Sequence, residues 1–226
     1  MGNMDSITII PVKLGIVNAY IVKQKGVILI DTGIPGSENT ILSSLEKASI
    51  HEHDLRLIIL THGHGDHADS AARLRELTGA KLAIHRNDSG MLRTGTQGPL
   101  VPTGLVDRIA KFFIGSVNRE GYPAADPDIV IDGTLDLAQY GIAGVVAPTP
   151  GHTAGSVSVV LESGDVFTGD LIFPQIPSEK PGMPFWAEQL ADVDTSIRAL
   201  LTNHPKVFHP GHGGPFAADT IRGMLG

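Results

Sequence analysis

The chain has no cysteine, few aromatic residues and no long apolar run. Without cysteine it forms no disulfide, and any metal site must use nitrogen and oxygen ligands instead of thiolates. Its apolar runs are far shorter than the ~20 residues of a membrane-spanning helix, so we expect no membrane span. The first residues, MGNMDSITII, lack the basic and apolar regions of a secretory signal, which favours a cytoplasmic location.

The chain also has fewer basic than acidic residues. The chain has 17 lysines and arginines against 24 aspartates and glutamates, which gives a net charge of −7. Because sequence-independent binding to nucleic acid relies on clustered basic residues, this charge disfavours a nucleic-acid partner. The 226 residues fit one α/β domain, and no linker or low-complexity stretch divides them, so we predict a single domain over residues 1–226.

Short apolar runs, separated by glycine and proline, predict many strands. The segments ITIIPV, NAYIVK and GVILID predict an N-terminal meander, and LRLIIL, KLAIH, DIVID, TLDL, GVVAP, SVSVVL, DVFTG and KVFHP predict further strands. Helical spacing occurs in NTILSSLEKASI, in DHADSAARLRELTGA from about Asp66, and in DVDTSIRALLTN. We interpret the looser segment 86–127, with its amphipathic stretch LVDRIAKFFIGSV, as a helical lid-like insertion.

Side chains that can bind a metal follow five of the apolar runs within a few residues. Loops that leave strand ends are held at one rim of a sheet, so we expect these side chains to lie close together. They are Asp31, His62, His64, Asp66, His67, His152, Asp170 and His212.

The densest group lies in THGHGDH at 61–67. Gly63 and Gly65 permit a tight turn, and imidazole and carboxylate are ligands that zinc, iron and manganese accept. Three histidines and one aspartate so close together have little other structural use. Taken alone, His152, Asp170 and His212 also fit ordinary turn residues. We interpret the remaining histidines as ordinary polar residues, namely His51, His53, His85, His204 and His209.

Together these motifs resemble the metallo-β-lactamase superfamily of hydrolases. The resemblance rests on DTG at 31–33, THGHGDH at 61–67, PGHT at 150–153, GD at 169–170 and GH at 211–212, in matching order along nearly the whole chain. It implies an α/β (α+β) fold, an αββα sandwich of two mixed β-sheets flanked by helices, with a dinuclear site at one edge.

The resemblance also implies a role for each residue. His62, His64 and His152 would hold one divalent ion, Asp66, His67 and His212 would hold a second, and Asp170 would bridge the two. Asp31 would lie behind the ligands and orient an imidazole, although it also fits a turn residue before Thr32 and Gly33. Zinc is favoured for both ions, with iron or manganese as alternatives.

The implied activity is hydrolysis of a carboxylic ester-like bond, a thioester or a lactone, in a small-molecule substrate. A metal-bound hydroxide would attack, with Asp66 and Asp170 as the catalytic carboxylates. The THxHxDH pattern is similar to that of glyoxalase II enzymes. Those enzymes carry a helical C-terminal domain, whereas only residues 213–226 follow His212, so a compact thioesterase or lactonase fits better.

Other activities stay open within this resemblance. A phosphodiesterase or nuclease would use the same ligands, and a mononuclear iron persulfide dioxygenase would keep a similar motif with one ion. A metal-binding module without turnover is less favoured because all seven ligand positions are filled. In the insertion, Arg93, Arg108, Lys111 and Arg119 fit either surface charge or contacts to an acidic substrate, and Phe185 and Trp186 fit either an acyl pocket or the core.

Overall fold

The computed structural model describes residues 6–104 and 121–226. The first sheet has six strands, each at the position of an apolar run. They are β1 (Thr8–Leu14), β2 (Val17–Lys23), β3 (Val27–Ile30), β4 (Leu55–Ile59), β5 (Lys81–His85) and β6 (Ile129–Ile131), and they lie side by side in this order. The first three pair antiparallel, as the predicted meander, and β3 to β6 pair in parallel, so the sheet is mixed.

The second half of the chain forms another six-stranded sheet and a small hairpin. The strands are β7 (Leu135–Asp136), β8 (Gly144–Pro148), β9 (Val157–Leu161), β10 (Asp165–Gly169), β11 (Phe173–Gln175), β12 (Lys180–Gly182), β13 (Val207–Pro210) and β14 (Phe216–Ala217). The sheet order is β14-β13-β10-β9-β8-β7, and β11 pairs with β12 separately. Only β10 and β13 pair in parallel, so this sheet is mixed as well.

Among the described residues, five helices lie in connections between strands, and the sixth follows the last strand. They are α1 (Ser37–Lys47), α2 (Gly65–Ala68), α3 (Ala71–Thr78), α4 (Ser89–Thr94), α5 (Leu190–Leu201) and α6 (Ala218–Met224), with 3-10 turns at Glu52–Asp54 and Ala138–Tyr140. In the two described ranges of the chain, no helix combines the length and the apolar character that crossing a bilayer requires.

The single helix predicted from about Asp66 is wrong, because the structure has two helices there. Between α2 and α3, the Ser70 hydroxyl donates to the carbonyl oxygen of Ile34 at 2.9 Å and to Glu38 Oε2 at 3.0 Å. These tertiary bonds hold a turn where local spacing favours a continuous helix. The short α2 therefore carries Asp66 and His67 on a separate piece of backbone.

The predicted insertion at 86–127 is described in part. Helix α4 lies within it, and residues 95–104 and 121–127 have no helix or strand. The stretch LVDRIAKFFIGSV, together with Arg108, Lys111 and Arg119, lies outside the described residues. The lid-like role of the insertion stays a prediction.

Apolar side chains form three layers of core, which fits a four-layer sandwich. Between the sheets, Ile28 and Ile59 of the first sheet pack with Val159 and Phe167 of the second, all without solvent exposure. This layer holds the two sheets face to face.

The two outer faces of the sandwich are covered by helices. On the first sheet, Ile41 of α1 and Leu74 of α3 pack with the outward residues of β3 and β4. On the second sheet, Ile197 of α5 and Ile221 of α6 pack with Phe208 of β13. Helices outside two mixed sheets are the αββα arrangement that the sequence motifs imply.

Candidate metal centre

The loops after five strands meet at one edge of the sandwich. These strands are β3 and β4 of the first sheet and β8, β10 and β13 of the second, which run in parallel directions within each sheet. Seven predicted ligand residues lie there in two groups, and in each group the possible ligand atoms are within 4.8 Å of one another. The first cluster is His62, His64 and His152, and the second cluster is Asp66, His67, Asp170 and His212.

The first cluster is a set of three buried imidazoles arranged around one point. The ring of His62 lies 4.7 Å from the ring of His64 and 4.6 Å from that of His152, at interplanar angles of 85° and 86°. The rings of His64 and His152 are 4.8 Å apart at 85°. Three mutually perpendicular rings can direct one nitrogen each toward a shared ion.

Asp170 lies between the two clusters. Its Oδ1 is 3.2 Å from His67 Nε2, and its Oδ2 is 3.5 Å from His212 Nε2. The same Oδ2 lies 3.6 Å from His152 Nε2 and 4.0 Å from His62 Nε2 in the first cluster. One buried carboxylate therefore reaches both clusters, which is the position that bridging requires.

Backbone carbonyl groups fix the orientation of two of the imidazoles. His152 Nδ1 lies 2.8 Å from the carbonyl oxygen of Trp186, and His212 Nδ1 lies 3.0 Å from that of Ile16. A carbonyl oxygen only accepts, so each Nδ1 carries the proton and donates. In the neutral ring, Nε2 is then the lone-pair atom that faces the cluster, as in histidines that bind metals.

Asp31 lies directly behind the second cluster. Its Oδ2 is 2.9 Å from His67 Nδ1, and its carboxylate accepts from the Thr61 backbone N–H at 2.8 Å and the Thr61 hydroxyl at 2.9 Å. The hydroxyl of Thr61 is in turn 3.1 Å from His62 Nδ1. Asp31 itself adopts a left-handed backbone conformation with φ of 59°, which brings its side chain back toward α2.

Several buried atoms at this edge have no hydrogen-bond partner among the described residues. They are His62 Nε2 and His64 Nε2, together with His67 Nε2 and Asp170 Oδ1, which lie 3.2 Å apart but outside hydrogen-bond geometry. Unpartnered buried polar atoms are costly, and a divalent ion would satisfy nitrogen and carboxylate donors of this kind. A Cβ atom at Gly211 would lie 2.5 Å from both Asp170 Oδ1 and His67 Cε1, so glycine keeps space open beside them. The donor set and the open space fit metal ions.

The two clusters differ in electrostatics. In the first, burial and the neighbouring histidines hold the pKa of His62 well below its usual value and lower the pKa of His64 to about 3. In the second, burial opposes protonation, but the carboxylates of Asp170 and Asp66 outweigh it. They raise the pKa of His67 well above its usual value, and Asp170 raises that of His212 to about 10.

The histidines of the second cluster also shift the pKa values of its two carboxylates. Burial would raise their pKa values, but His67 and His212 hold the pKa of Asp170 well below its usual value and lower that of Asp66 to about 2. His62 and His64 of the first cluster are therefore unprotonated at pH 7, and the second cluster contains two ionised carboxylates.

The N-terminal hairpin holds the loop that carries His212. Besides the bond from His212 to Ile16, the backbone N–H of Asn18 donates to the carbonyl oxygen of Gly211 at 2.7 Å. The Asn18 amide donates to Pro210 and Gly213 carbonyl oxygens at 3.0 and 2.9 Å. The turn between β1 and β2 is thus joined to the end of β13.

Aromatic side chains stand on one side of the clusters. Phe173 stacks on the ring of His212 at 4.7 Å and 24°, and Phe185 contacts Phe173 edge to face at 5.7 Å. Phe185 and Trp186 are both half-buried, with ring centroids 6.0 Å apart. We call Phe173, Phe185 and Trp186 the aromatic wall; Phe173 is buried, whereas Phe185 and Trp186 are partly exposed.

None of the five histidines that we interpret as ordinary polar residues belongs to the two clusters. His209 pairs with Asp165 at 2.8 Å on the far part of the second sheet. A third group of possible ligands, His51, Glu52 and His53, lies on an exposed turn after α1.

Sequence reasoning missed how three residues support the site. Thr61 contacts His62, and Asp88 is a buried carboxylate close to the first cluster. Trp186, which the sequence placed in either an acyl pocket or the core, accepts a hydrogen bond from His152 through its backbone carbonyl. Asp88 comes three residues after β5, so the rule that located the ligands at strand ends also indicates this position. The bond from Trp186 uses a backbone carbonyl, which every residue type has, and leaves no sequence signal.

Comparison with known families decides where this fold and these clusters belong. The family model described as "Metallo-beta-lactamase superfamily" matches residues 12–212. The chain belongs to the metallo-β-lactamase superfamily. The match includes all seven cluster residues, and in this superfamily's fold the histidine and aspartate clusters indicate divalent metal ions.

Individual members of the superfamily are similar over most of the chain. A "Probable metallo-hydrolase" of Methanocaldococcus jannaschii is 29% identical over 205 residues, which cover 87% of each chain. An uncharacterized protein of Mycobacterium tuberculosis is 33% identical over 177 residues, 74% of this chain and 73% of that one. The BLEG-1 B3 metallo-beta-lactamase superposes with a TM-score of 0.72 at 20% identity, covering 96% of this chain and 97% of that chain. The predicted sandwich fold of the superfamily is confirmed.

Proposed function

We propose that this superfamily member is a dinuclear metal hydrolase that cleaves a thioester or a lactone in a small-molecule substrate. The observation that carries the proposal is the adjacency of two donor clusters with the Asp170 carboxylate between them. The first cluster would hold one ion and the second cluster the other, with Asp170 shared. We propose zinc, because nitrogen and oxygen donors in sets of three suit Zn²⁺.

Divalent ions bound there would lower the pKa of water to about 7 and polarise the carbonyl oxygen of a substrate. The chain's own residues set up this chemistry. The carbonyl oxygens of Trp186 and Ile16 hold His152 and His212 in one orientation, so little reorganisation is needed during reaction.

Asp66 and Asp170 are the carboxylates proposed to take part in catalysis. Asp66 Oδ2 is 3.4 Å from His212 Nε2, and its side chain is 38% exposed, so it can reach both the cluster and solvent. Its pKa of about 2 keeps it ionised at neutral pH, and it can pass a proton on without retaining it. Asp170 is buried, and its proposed role is to hold the two ions at a fixed separation.

The surroundings of the clusters support a substrate with an apolar group. The aromatic wall offers apolar contact to an acyl group or a lactone ring, which supports the thioesterase or lactonase interpretation over a phosphodiesterase.

Metal content and a substrate panel test the proposal together. Protein purified without added metal would be analysed by elemental mass spectrometry. It would then be assayed with thioester, lactone, β-lactam and phosphodiester substrates. We expect two zinc ions per chain and turnover of a thioester or a lactone. His152→Ala should lose metal and activity, whereas His209→Ala, which removes a buried histidine outside the clusters, should retain both.

Each other result points to a different activity. One iron per chain without hydrolysis would support a persulfide dioxygenase, and turnover of the phosphodiester alone would support a phosphodiesterase. Two bound ions without turnover of any substrate would favour a metal-binding module.

A further inference from the structure

The peptide group of Gly63, between His62 and His64, is held from both sides. Its N–H donates to Asp88 Oδ2 at 2.9 Å, and its carbonyl oxygen accepts from the Tyr122 hydroxyl at 2.8 Å. Both bonds are buried, and Asp88 is only 1% exposed. The turn that presents two imidazoles of the first cluster is therefore fixed by side chains that touch neither imidazole.

The same carboxylate holds the loop of the third imidazole. The hydroxyl of Thr153, the residue after His152, donates to Asp88 Oδ2 at 2.7 Å. Gly155 passes so close that a Cβ atom there would collide with Asp88 Oδ1. Asp88 thus joins the loop after β4, in the first sheet, to the loop after β8, in the second sheet.

A different buried aspartate, Asp31, holds the second cluster. Asp31 contacts the imidazole of His67 directly, and it reaches the first cluster only through the hydroxyl of Thr61. In the described part of the chain, the hydrogen bonds of Asp88 go to Gly63, Thr153 and Gly155, and none of these is a second-cluster residue. The two buried aspartates serve different clusters.

We infer that Asp88 is a positioning residue that sets the spacing of the His62–His64 turn and the His152 loop, and thereby the affinity of the first cluster for its metal ion. The inference rests on the proposed metal sites. Asp88 supplies only acceptors to the N–H of Gly63 and the hydroxyl of Thr153. Both of these bonds end on Oδ2, and the backbone N–H of Gly155 also bonds to this carboxylate, beside Oδ1. An asparagine therefore turns its N–H₂ group either toward Gly63 and Thr153 or toward Gly155, and in each case at least one of the loops loses a hydrogen bond.

The test measures metal binding by each cluster separately, in variants in which the other cluster has lost one proposed ligand. In a His212→Ala background only the first cluster is intact, and in a His62→Ala background only the second is intact. Zn²⁺ affinity would be measured by competition with a chromophoric chelator, and the visible spectrum of the Co²⁺-loaded protein would report ligand geometry. Asp88→Asn should weaken Zn²⁺ binding about 10–100-fold in the first background and leave the second unchanged.

Further variants keep the inference testable if Asp88→Asn does not fold. Thr153→Val removes one of these bonds and should weaken first-cluster binding by a smaller factor, with an altered Co²⁺ spectrum. Asp165→Asn is the matched control, since this aspartate pairs with His209 away from the clusters and should change neither affinity.

The outcomes distinguish this inference from the proposed function. Unchanged Zn²⁺ affinity in the His212→Ala background, or equal weakening in both backgrounds, would overturn the role of Asp88. Absence of Zn²⁺ binding in the wild-type chain would overturn the proposed metal sites instead.

Discussion

The first and second clusters lie side by side, yet they differ in residue types and in protonation. The first consists of three buried imidazoles, and burial together with neighbouring histidines keeps His62 and His64 unprotonated. The second mixes two carboxylates with two imidazoles, and the carboxylates favour protons on His67 and His212. A metal ion entering the first cluster meets the unprotonated imidazoles of His62 and His64 and replaces the 2.9 Å contact between His152 Nε2 and His64 Nδ1, whereas one entering the second must displace protons.

This difference would also give the proposed ions separate tasks. Apart from the shared Asp170, an ion in the first cluster would have only neutral ligands, so it would keep more of its charge to polarise a carbonyl oxygen. A set with two carboxylates compensates most of the charge of its ion and retains it by electrostatic attraction. We expect removal of either cluster to abolish hydrolysis, for different reasons.

Removal of the carboxylate shared by the clusters should have the largest effect. Asp170→Asn keeps the shape of the side chain and removes its charge, so we expect activity to fall by at least about 100-fold and metal content to drop below two ions per chain. Asp165→Asn, on the other end of β10, is the control and should behave like wild type. Full activity of Asp170→Asn on every ester would remove the bridging role.

Loss of the Asp31 anchor should affect one cluster more than the other. Asp31→Asn removes the anionic acceptor of His67 Nδ1, and we expect the affinity of the second cluster for Zn²⁺ to fall about 10–100-fold. Chelator competition in the His62→Ala background measures it. A loss of Zn²⁺ affinity confined to the first cluster would contradict the assignment of Asp31 to the second cluster.

The metal-free protein should be most stable near neutral pH, because the clusters respond to pH in opposite ways. The pKa of His64 is about 3 in the fold against 6.5 when unfolded, so the unfolded chain binds more protons and stability falls as pH drops below 6.5. The pKa of His212 is about 10 in the fold against 6.5. Its stabilisation is complete below pH 6.5 and is lost as pH rises toward 10.

Urea unfolding of chelator-treated protein at pH 5, 7 and 9 measures both effects. Each histidine can contribute up to about 1.4 kcal/mol per pH unit to the free energy of unfolding. His64→Gln should flatten the acid side of the profile, and His212→Gln the alkaline side. A profile that neither variant changes would show that the two clusters do not differ in protonation.

Substitutions in the exposed group of His51, Glu52 and His53 should have the smallest effect on metal content and activity. Its side chains are largely in solvent, and His53 Nδ1 already lies 3.1 Å from the carbonyl oxygen of Thr78. We expect the double variant His51→Ala/His53→Ala to keep the metal content and activity of wild type. Loss of one ion per chain would instead show that donor proximity alone suffices for binding.

Much of the fold and of the donor set could be predicted from the sequence, because both follow from local patterns. Apolar runs located the strands, and the metal-capable residues that follow them indicated one shared edge. His152, Asp170 and His212 were ambiguous one by one, since a turn also accounts for each. The structure brings all three together with the THGHGDH segment, although their roles as ligands stay a proposal.

Features that depend on tertiary contacts could not be predicted. The break between α2 and α3 depends on the bond from Ser70 to Ile34, which is distant in sequence. Strands β11 and β12 each contain a proline, a residue that disfavours strands, so their pairing had no local signal. The pairing of Asp88 with two loops is likewise visible only after the sheets are packed.

The bond from His212 to Ile16 joins residues 196 positions apart in the chain. During synthesis, the N-terminal hairpin leaves the ribosome first and must wait for nearly the whole remaining polypeptide before its partner loop emerges. The three imidazoles of the first cluster are available once residue 152 has emerged. In the order of translation, the three residues of the first cluster therefore emerge before His212 completes the second cluster, and the carbonyl oxygen of Trp186 that orients His152 emerges between them.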